Sequence, residues 1–350
     1  MKIYNEIAYF IDFSIHGIPY VAYIAYEIDG IIYTDSEKTY KFIKKDHPEL
    51  QVKYFNTVEK IKQHMVQSGV KVIIYPDYHI RFFKNLTGVK HIQIFHGLTD
   101  KKYHFIKDVL NYDLFFIPGN DDYKRYEERG LLKKGTGILI GYPKLDRVFR
   151  GEIKKDEELI KLKLAPTKKT VLYAPTWLDR ALNSSWKKFR KVFTKNIPEN
   201  INLIVKLHPN IKRYREEEVE EFSKYLKPFK NARLFDFIPD PIPLMAASDL
   251  LISDVSGITR EFLAFKRPFV FLSNKPKWLW NKQKIKLWEC GEVVTNPDKL
   301  WQAVERSLRE PDRYMDAIEK HFNSTFYKPD GFAAKRARDA ILKLYINHPS

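Results

Sequence analysis

The sequence has a single cysteine, Cys290, so no disulfide can form within the chain, which fits a reducing compartment. It has no basic n-region followed by a small-residue cleavage site, which argues against a secretory signal. No GxxxxGK(S/T) phosphate loop occurs. The stretch GTGILIGYPK at 135–144 fails as a dinucleotide loop, because its glycines precede the strand-like ILI and lack the GxGxxG spacing. The His and Asp/Glu spacings make no zinc site, so no metal and no other cofactor is expected. Short-period repeats and low-complexity tracts are absent. Only one apolar run, residues 7–28, is long enough to span a bilayer, and it contains Asp12, His16, Gly17 and Pro19. A mid-membrane Asp costs roughly 2.5–3.5 kcal/mol, so the run reads as two buried strands with a bend at 17–19.

What is present is a chain of 350 residues, 44% apolar, which suits two domains, each with its own core. The net charge of +17 points to an anionic partner: nucleic acid, an anionic membrane surface or a phosphorylated substrate. Basic residues are spread along the chain, often beside Glu, and no recognisable DNA or RNA module gathers them. Nucleic acid is therefore not expected as a partner.

Strand-like runs alternate with helix-like segments. In the first half they lie at 30–34, 52–55, 70–76, 91–95, 112–117 and 137–140, and in the second at 170–174, 202–207, 232–235, 249–253, 268–272 and 291–294. This spacing predicts βαβ units, hence an α/β fold with parallel sheets. The expected organisation is a Rossmann-like domain over 1–150, a charged connection over 151–169, a second Rossmann-like domain over 170–330 and a C-terminal helix over 331–350. That helix should turn Ala333, Ala337, Ile341 and Leu344 inward.

Four polar motifs end apolar runs: His96-Gly97, YAPTW at 173–177, KLHP at 206–209 and SDVSG at 253–257. Ligands of parallel α/β sheets bind beyond the carboxyl ends of strands. In SDVSG, Ser256, Gly257 and the first helical N–H groups can face a phosphate, with Glu261 one turn on within reach of ribose hydroxyls; a plain N-cap at Asp254 or Ser256 is the alternative. His96, followed by Lys101 and Lys102, is placed for general base work, and His208 ends the matching strand of the other half. Thr176, after Pro175, can offer a hydroxyl to phosphate oxygens. The segment KPKWLWNKQKIKLW at 275–288 carries three Trp and five Lys, the composition of a membrane-interface element or of a loop covering a substrate.

Taken together, HGLTDKK (96–102), GYPKLD (141–146), VLYAPTW (171–177), VKLHP (205–209), DLLISDVSGITREFLAFKRPFVFL (249–272) and PDGFAAKR (329–336) resemble, in order and spacing, the CDP-glycerol glycerophosphotransferase family of teichoic-acid and capsule polymerases and primases. The resemblance implies a GT-B fold of two Rossmann-like domains facing across a cleft, with the nucleotide in the C-terminal one. It implies transfer of glycerol phosphate or a related polyol phosphate from a CDP-activated donor to a glycan or lipid-linked acceptor, with release of CMP; the surplus positive charge and the Trp/Lys segment would hold the chain peripherally at the inner face of the cell membrane. His96 would then be the base for the acceptor hydroxyl, and His208 would stabilise charge on the pyrophosphate. The donor would be held by Pro175, Thr176, Ser253, Asp254, Ser256, Gly257, Glu261, Asp330 and Arg336, and the acceptor or its phosphate by Gly97, Lys101, Lys102 and Lys144. Where the family reads HGTPLKK and SDYSS, this chain reads HGLTDKK and SDVSG, and an acidic position that is often Asp is Glu261. The SG variant also resembles nucleotide-sugar 2-epimerases and GT-B glycosyltransferases, so a nucleotide-sugar enzyme on the same fold is the alternative.

Overall fold

The structure, a computed structural model, describes residues 5–98, 104–177, 184–195, 197–254, 256–275 and 286–346. Two compact units divide the chain: Met1–Arg150 with Ser324–Ser350, and Gly151–Asn323.

The first unit holds seven strands: β1 (Ile7–Phe10), β2 (Ile31–Thr34), β3 (Val52–Tyr54), β4 (Val72–Tyr75), β5 (Lys90–Gln93), β6 (Leu114–Ile117) and β7 (Gly137–Leu139). They pair in parallel in the order β3-β2-β1-β4-β5-β6-β7. β1 illustrates why these runs become strands. Ile7, Tyr9 and Ile11 enter one apolar cluster, and Ala8 and Phe10 enter another. Successive side chains point to opposite faces, both faces are covered, and the strand therefore reads as an unbroken apolar run. Each large side chain buried this way is worth about 1.5–3 kcal/mol.

The expectation of a second strand within residues 7–28 is corrected. After a 3-10 turn at Ile15–Gly17 the chain forms the helix Ile18–Ala25. Pro19 sits in its first turn, where the fixed φ is preorganised and the missing N–H costs nothing. Seven of its eight residues are buried, so no polar stripe marked the helical period in the sequence.

The helix Ala333–Ile346 lies in the same unit. Ala337 and Ile341 join the cluster containing Ile18, Val21 and Ala22, with Leu344 partly buried against it. Asp146 holds the start of this helix, accepting from the N–H groups of Ala333 (3.0 Å) and Ala334 (2.8 Å). A carboxylate there satisfies donors that have no intrahelical partner and complements the positive end of the helix. Gly141 belongs to the same clasp. Its φ is +89°, and a Cβ there would lie 2.6 Å from the Tyr327 carbonyl oxygen, so only glycine fits.

The second unit holds β8 (Lys169–Ala174), β9 (Ile201–Lys206), β10 (Ala232–Phe235), β11 (Leu250–Ser253), β12 (Phe269–Leu272) and β13 (Gly291–Val294). They are parallel in the order β10-β9-β8-β11-β12-β13. Residues expected as a connection, 151–169, carry the helix Lys155–Lys161 and belong to this unit. Lys155 donates to both oxygens of Asp249 at 2.7 Å, and Asp249 accepts from the Thr170 N–H at 2.8 Å, which ties that helix to the amino ends of β8 and β11.

In each unit the strand order reverses beside the first strand, between β1 and β4 and between β8 and β11. Crossovers leave such a point toward opposite faces, and a crevice opens beyond the carboxyl ends.

Candidate functional site

In the first unit, β4 runs into Pro76 and Asp77 and β5 into Ile94, Phe95 and His96. Phe95 has φ +55°, in the left-handed region that non-glycine residues avoid. Its N–H donates to Oε1 of the fully buried Gln93 at 2.9 Å, which holds the turn. A conformation of this kind costs on the order of 1–3 kcal/mol and recurs at functional sites. After the turn, His96 Nδ1 lies 2.5 Å from Asp77 Oδ1.

Three further groups surround this pair. His16 packs edge-on to His96 with ring centroids 4.7 Å apart. His79 Nε2 lies 3.2 Å from Asp12 Oδ2, and Asp12 also accepts from the Ser14 N–H at 2.8 Å. Burial pulls the His96 pKa down, but the Asp77 charge and hydrogen bond, with a hydrogen bond to the Pro76 carbonyl and the Asp12 charge, together more than offset it, so the net shift is upward. Burial pushes Asp77 up, yet His96, His16 and His79 together lower it to about 2. His16, the more exposed of the two rings, is lowered to about 4 by desolvation and by the positive charge of His96. The first proton therefore goes to His96.

Ligand atoms of His16, Asp77 and His96 lie within 4.8 Å of one another, as do those of Asp12, Asp77 and His79. Sequence spacing gave no such set, because the residues come from separate strand ends. Two ligands ~2.0 Å from a tetrahedral zinc ion sit about 3.3 Å apart. The 2.5 Å His96–Asp77 contact is too short for that and suits a charge-assisted hydrogen bond.

Gly97 and Lys144 meet at Tyr20. A Cβ on Gly97 would lie 3.3 Å from Tyr20 Oη. Tyr142 Oη donates to Tyr20 Oη at 2.7 Å, and Lys144 Nζ reaches the same oxygen at 3.3 Å. Lys144 is buried, with its ammonium 4.9 Å from the centre of the Tyr20 ring. Lys101 and Lys102 lie outside the described residues, as do 276–285 of the Trp/Lys segment.

In the second unit the motif residues divide into braces and accessible groups. Asp254 is 1% exposed, and its oxygens accept from the Thr176 N–H (2.8 Å), the Ser185 N–H (2.7 Å) and Ser185 Oγ (2.8 Å). Burial outweighs these bonds and raises its pKa to about 6. Ser253 Oγ donates to the Ala174 carbonyl at 2.6 Å. Both residues, expected at the donor, tie the YAPTW and SDVSG loops together. Glu261, expected near ribose hydroxyls, is buried, as are Pro175 and Thr176. Ser256 and Gly257 are half-buried at the start of the helix Gly257–Phe262, where Ser256 has N-cap geometry but its hydroxyl makes no cap bond.

His208 occupies the N-cap of the helix Pro209–Tyr214, and its Nδ1 accepts from the Asn210 N–H at 3.2 Å. An accepting Nδ1 leaves Nε2 as the protonated nitrogen of the neutral ring. The Trp177 ring lies 6.3 Å from the His208 ring, so YAPTW and KLHP converge in this unit.

Asp330 and Arg336 belong to the first unit, not to the one carrying SDVSG. They form a bidentate pair at 2.9 and 2.8 Å, and Arg336 also donates to the carbonyls of Ile140 (2.6 Å) and Lys328 (2.9 Å). These contacts place both side chains in the clasp around Gly141 and Asp146. Their guanidinium and carboxylate are committed to each other and to the backbone.

Sequence reading missed Asp77, His16, Asp12, His79 and the brace at Ser185. A signal for Asp77 existed: the apolar run VKVIIYP stops at Asp77 as HIQIF stops at His96.

Residues 21–343 match the profile of the CDP-glycerol:poly(glycerophosphate) glycerophosphotransferase family. A teichoic acid glycerol-phosphate primase of Bacillus subtilis (strain 168) is 26% identical over 250 residues, 66% of this chain. The match spans 62% of that relative's own length. Among solved structures, the wall teichoic acid polymerase TagF superposes with a TM-score of 0.71 at 16% identity, covering 99% of this chain and 91% of that one. Staphylococcus aureus MnaA in complex with UDP superposes with a TM-score of 0.64 at 16% identity, covering 98% and 97%. The two-unit parallel α/β architecture is thus that of these proteins.

Proposed function

The chain belongs to the CDP-glycerol:poly(glycerophosphate) glycerophosphotransferase family, and on that premise we propose that it moves glycerol phosphate, or a related polyol phosphate, from a CDP-activated donor to a hydroxyl of a cell-envelope glycan or lipid-linked acceptor. The acceptor oxygen attacks the polyol-bearing phosphorus in line. A new P–O bond forms, the bond from that phosphorus to the bridging oxygen breaks, and CMP leaves with the bridging oxygen and its electron pair. The hydroxyl proton passes to His96 Nε2. His208, with Nδ1 engaged by Asn210, donates from Nε2 to the developing charge on the leaving phosphate. Ser256, Gly257 and the Thr176 hydroxyl hold donor phosphates, and Lys144 supplies positive charge on the acceptor side. Catalysis of this kind rests on positioning and charge stabilisation.

The observation that carries the reading is His96 itself, a half-buried histidine beyond β5 whose Nδ1 meets a carboxylate at 2.5 Å. The test is CMP or UDP release from CDP-glycerol, CDP-ribitol and UDP-sugars. CMP from a CDP-polyol is the expected result. UDP release with silence on both CDP donors would favour a nucleotide-sugar enzyme, the reading that the likeness to UDP-bound MnaA supports.

We extend the proposal to a peripheral position on an anionic membrane. No helix among the described residues is long and apolar enough to cross a bilayer, and the net charge is +17. Each basic residue near an anionic surface contributes about 1 kcal/mol. Binding to anionic vesicles that disappears at high salt is the expected outcome of cosedimentation; equal binding to neutral vesicles would contradict it.

A further inference from the structure

We infer that Asp77, which lies outside every motif that marks the family resemblance, is a positioning residue: by accepting the Nδ1 proton of His96 it fixes which ring nitrogen, Nε2, is presented to the acceptor hydroxyl. The inference rests on the reading of His96 as the base.

The geometry comes from the sheet. β4 and β5 are neighbours in parallel register, so the residues just beyond their carboxyl ends are neighbours too. Asp77 follows β4 directly behind Pro76. A Cβ on Gly17 would lie 3.1 Å from the Pro76 ring and 3.9 Å from Asp77 Oδ2, so this turn is packed closely. On the other strand, the left-handed Phe95 brings His96 round to meet it. Two local distortions on adjacent strands thus serve one 2.5 Å contact.

A comparison within the molecule separates this role from simple bracing. Asp254 is a buried carboxylate whose two oxygens are taken by backbone N–H groups and a serine hydroxyl. Asp77 is arranged differently. Oδ1 goes to an imidazole, and Oδ2 is buried with no hydrogen-bond partner among the described residues. A brace would use both oxygens. A carboxylate with one oxygen on a histidine, and its other partners at a distance also histidines, directs its charge to imidazole. The shifts agree in direction: burial raises Asp254, whereas the surrounding histidines lower Asp77 in spite of burial.

The charged and titratable groups facing His96 are few. Asp77 comes from the end of β4, and Asp12 and His16 from the segment after β1. His104 lies edge-on with ring centroids 5.9 Å apart, and Lys144 acts on His16. Of these, Asp77 is the largest contributor that raises the His96 pKa. A base works deprotonated, so the rate rises as pH climbs through that pKa. With Asp77 neutralised, desolvation is opposed only by the Pro76 carbonyl hydrogen bond and the Asp12 charge, and the acid limb moves to lower pH.

The experiment compares wild type with Asp77→Asn and Asp77→Glu. For Asp77→Asn the expected result is a ~10²–10⁴-fold fall in kcat, the scale seen when a histidine base loses its orienting carboxylate. CDP-glycerol KM should hold, and the acid limb should lie at lower pH. Asp77→Glu should restore part of the rate and move the limb back. Imidazole ¹⁵N spectra, with His96→Gln used to assign the ring, give a readout independent of turnover: Nδ1–H in wild type, and a mixed or reversed tautomer at lower pKa in Asp77→Asn. An unchanged His96 tautomer and titration in Asp77→Asn overturns the inference, and so does a wild-type kcat and acid limb. If Asp77→Asn does not fold, Asp77→Glu carries the test, and a His96 titration unmoved by the longer side chain counts against it. A wild-type protein inert toward every CDP donor defeats the functional reading alone, because the spectra still decide whether Asp77 sets the state of His96.

Discussion

Alanine at position 96 is expected to reduce transfer by ~10²–10⁴-fold, the contribution of a positioned general base, while CDP binds as tightly as before. The separation follows from where the groups lie. His96 belongs to the first unit and ends β5, whereas Ser256, Gly257 and His208 belong to the second. On the proposed mechanism, truncating the imidazole takes away the proton acceptor, while Ser256, Gly257 and His208 keep their own side chains. It also strips Asp77 of the group that most strongly keeps it ionised, so the pKa of that carboxyl rises as desolvation takes over. CMP release with the native acceptor measures the first effect, and calorimetry with CDP measures the second. A His96→Ala enzyme working at the wild-type rate would remove His96 from the mechanism. Loss of CDP affinity in step with rate would mean that the side chain supports the nucleotide site instead.

The second large effect is expected at Asp254. Asp254→Ala leaves the Thr176 N–H and the Ser185 N–H without an acceptor in a site closed to water, and leaves the Ser185 hydroxyl only the Tyr173 oxygen. Each buried donor left unsatisfied costs about 1–3 kcal/mol, so a loss on the order of 3–5 kcal/mol is expected, on the scale of breaking a buried charged network. The YAPTW and SDVSG loops would separate, and CDP affinity should drop by at least about tenfold, or 1.4 kcal/mol. Thermal unfolding and CDP calorimetry on the same preparation report both. Full CDP affinity in a folded Asp254→Ala protein would show that the brace does not shape the nucleotide site.

A pH signature accompanies it. The folded-state pKa of about 6 lies above the 3.8 of an ordinary aspartate. Between these values the native state holds more protons than the unfolded chain, so stability rises as pH falls through that window and is flat above it. Wild type should therefore gain stability between pH 7 and pH 5 relative to Asp254→Asn, which cannot titrate there. Parallel melting curves at the two pH values would refute this by shifting equally.

The strands were legible because a sheet covered on both faces turns each strand into a plain apolar run, as in β1 and β4. The same property hid the helix Ile18–Ala25, whose burial on nearly every side erased its period. His96 and SDVSG were legible as polar stops after strands. The direction in which such a stop points was not. Asp254 and Ser256 stand two residues apart, yet one is committed beneath the loops and the other stays half-exposed. Asp77 escaped notice because its meaning depends on β4 lying beside β5, a pairing that no local pattern states. Asp330 and Arg336 looked like ligand contacts because the family motif contains them. Their partners, Ile140 and each other, became visible only when the two ends of the first unit met.

That meeting has a consequence for how the protein is made. The first sheet is translated early, but the helix that completes its apolar face ends at Ile346, whereas the contiguous first segment ends at Arg150. At about 5–20 residues per second on a ribosome, the interval of roughly 200 residues lasts on the order of 10–40 s. Throughout it the surface around Ile18, Val21 and Ala22 lacks Ala337 and Ile341, and the Asp146 carboxylate has no helix to hold. The second unit, whose chain is continuous, has emerged in full before that helix begins. The unit whose sheet is made before the other is therefore completed after it, and until then the nascent chain presents an open greasy seam of the sort that holdase chaperones cover.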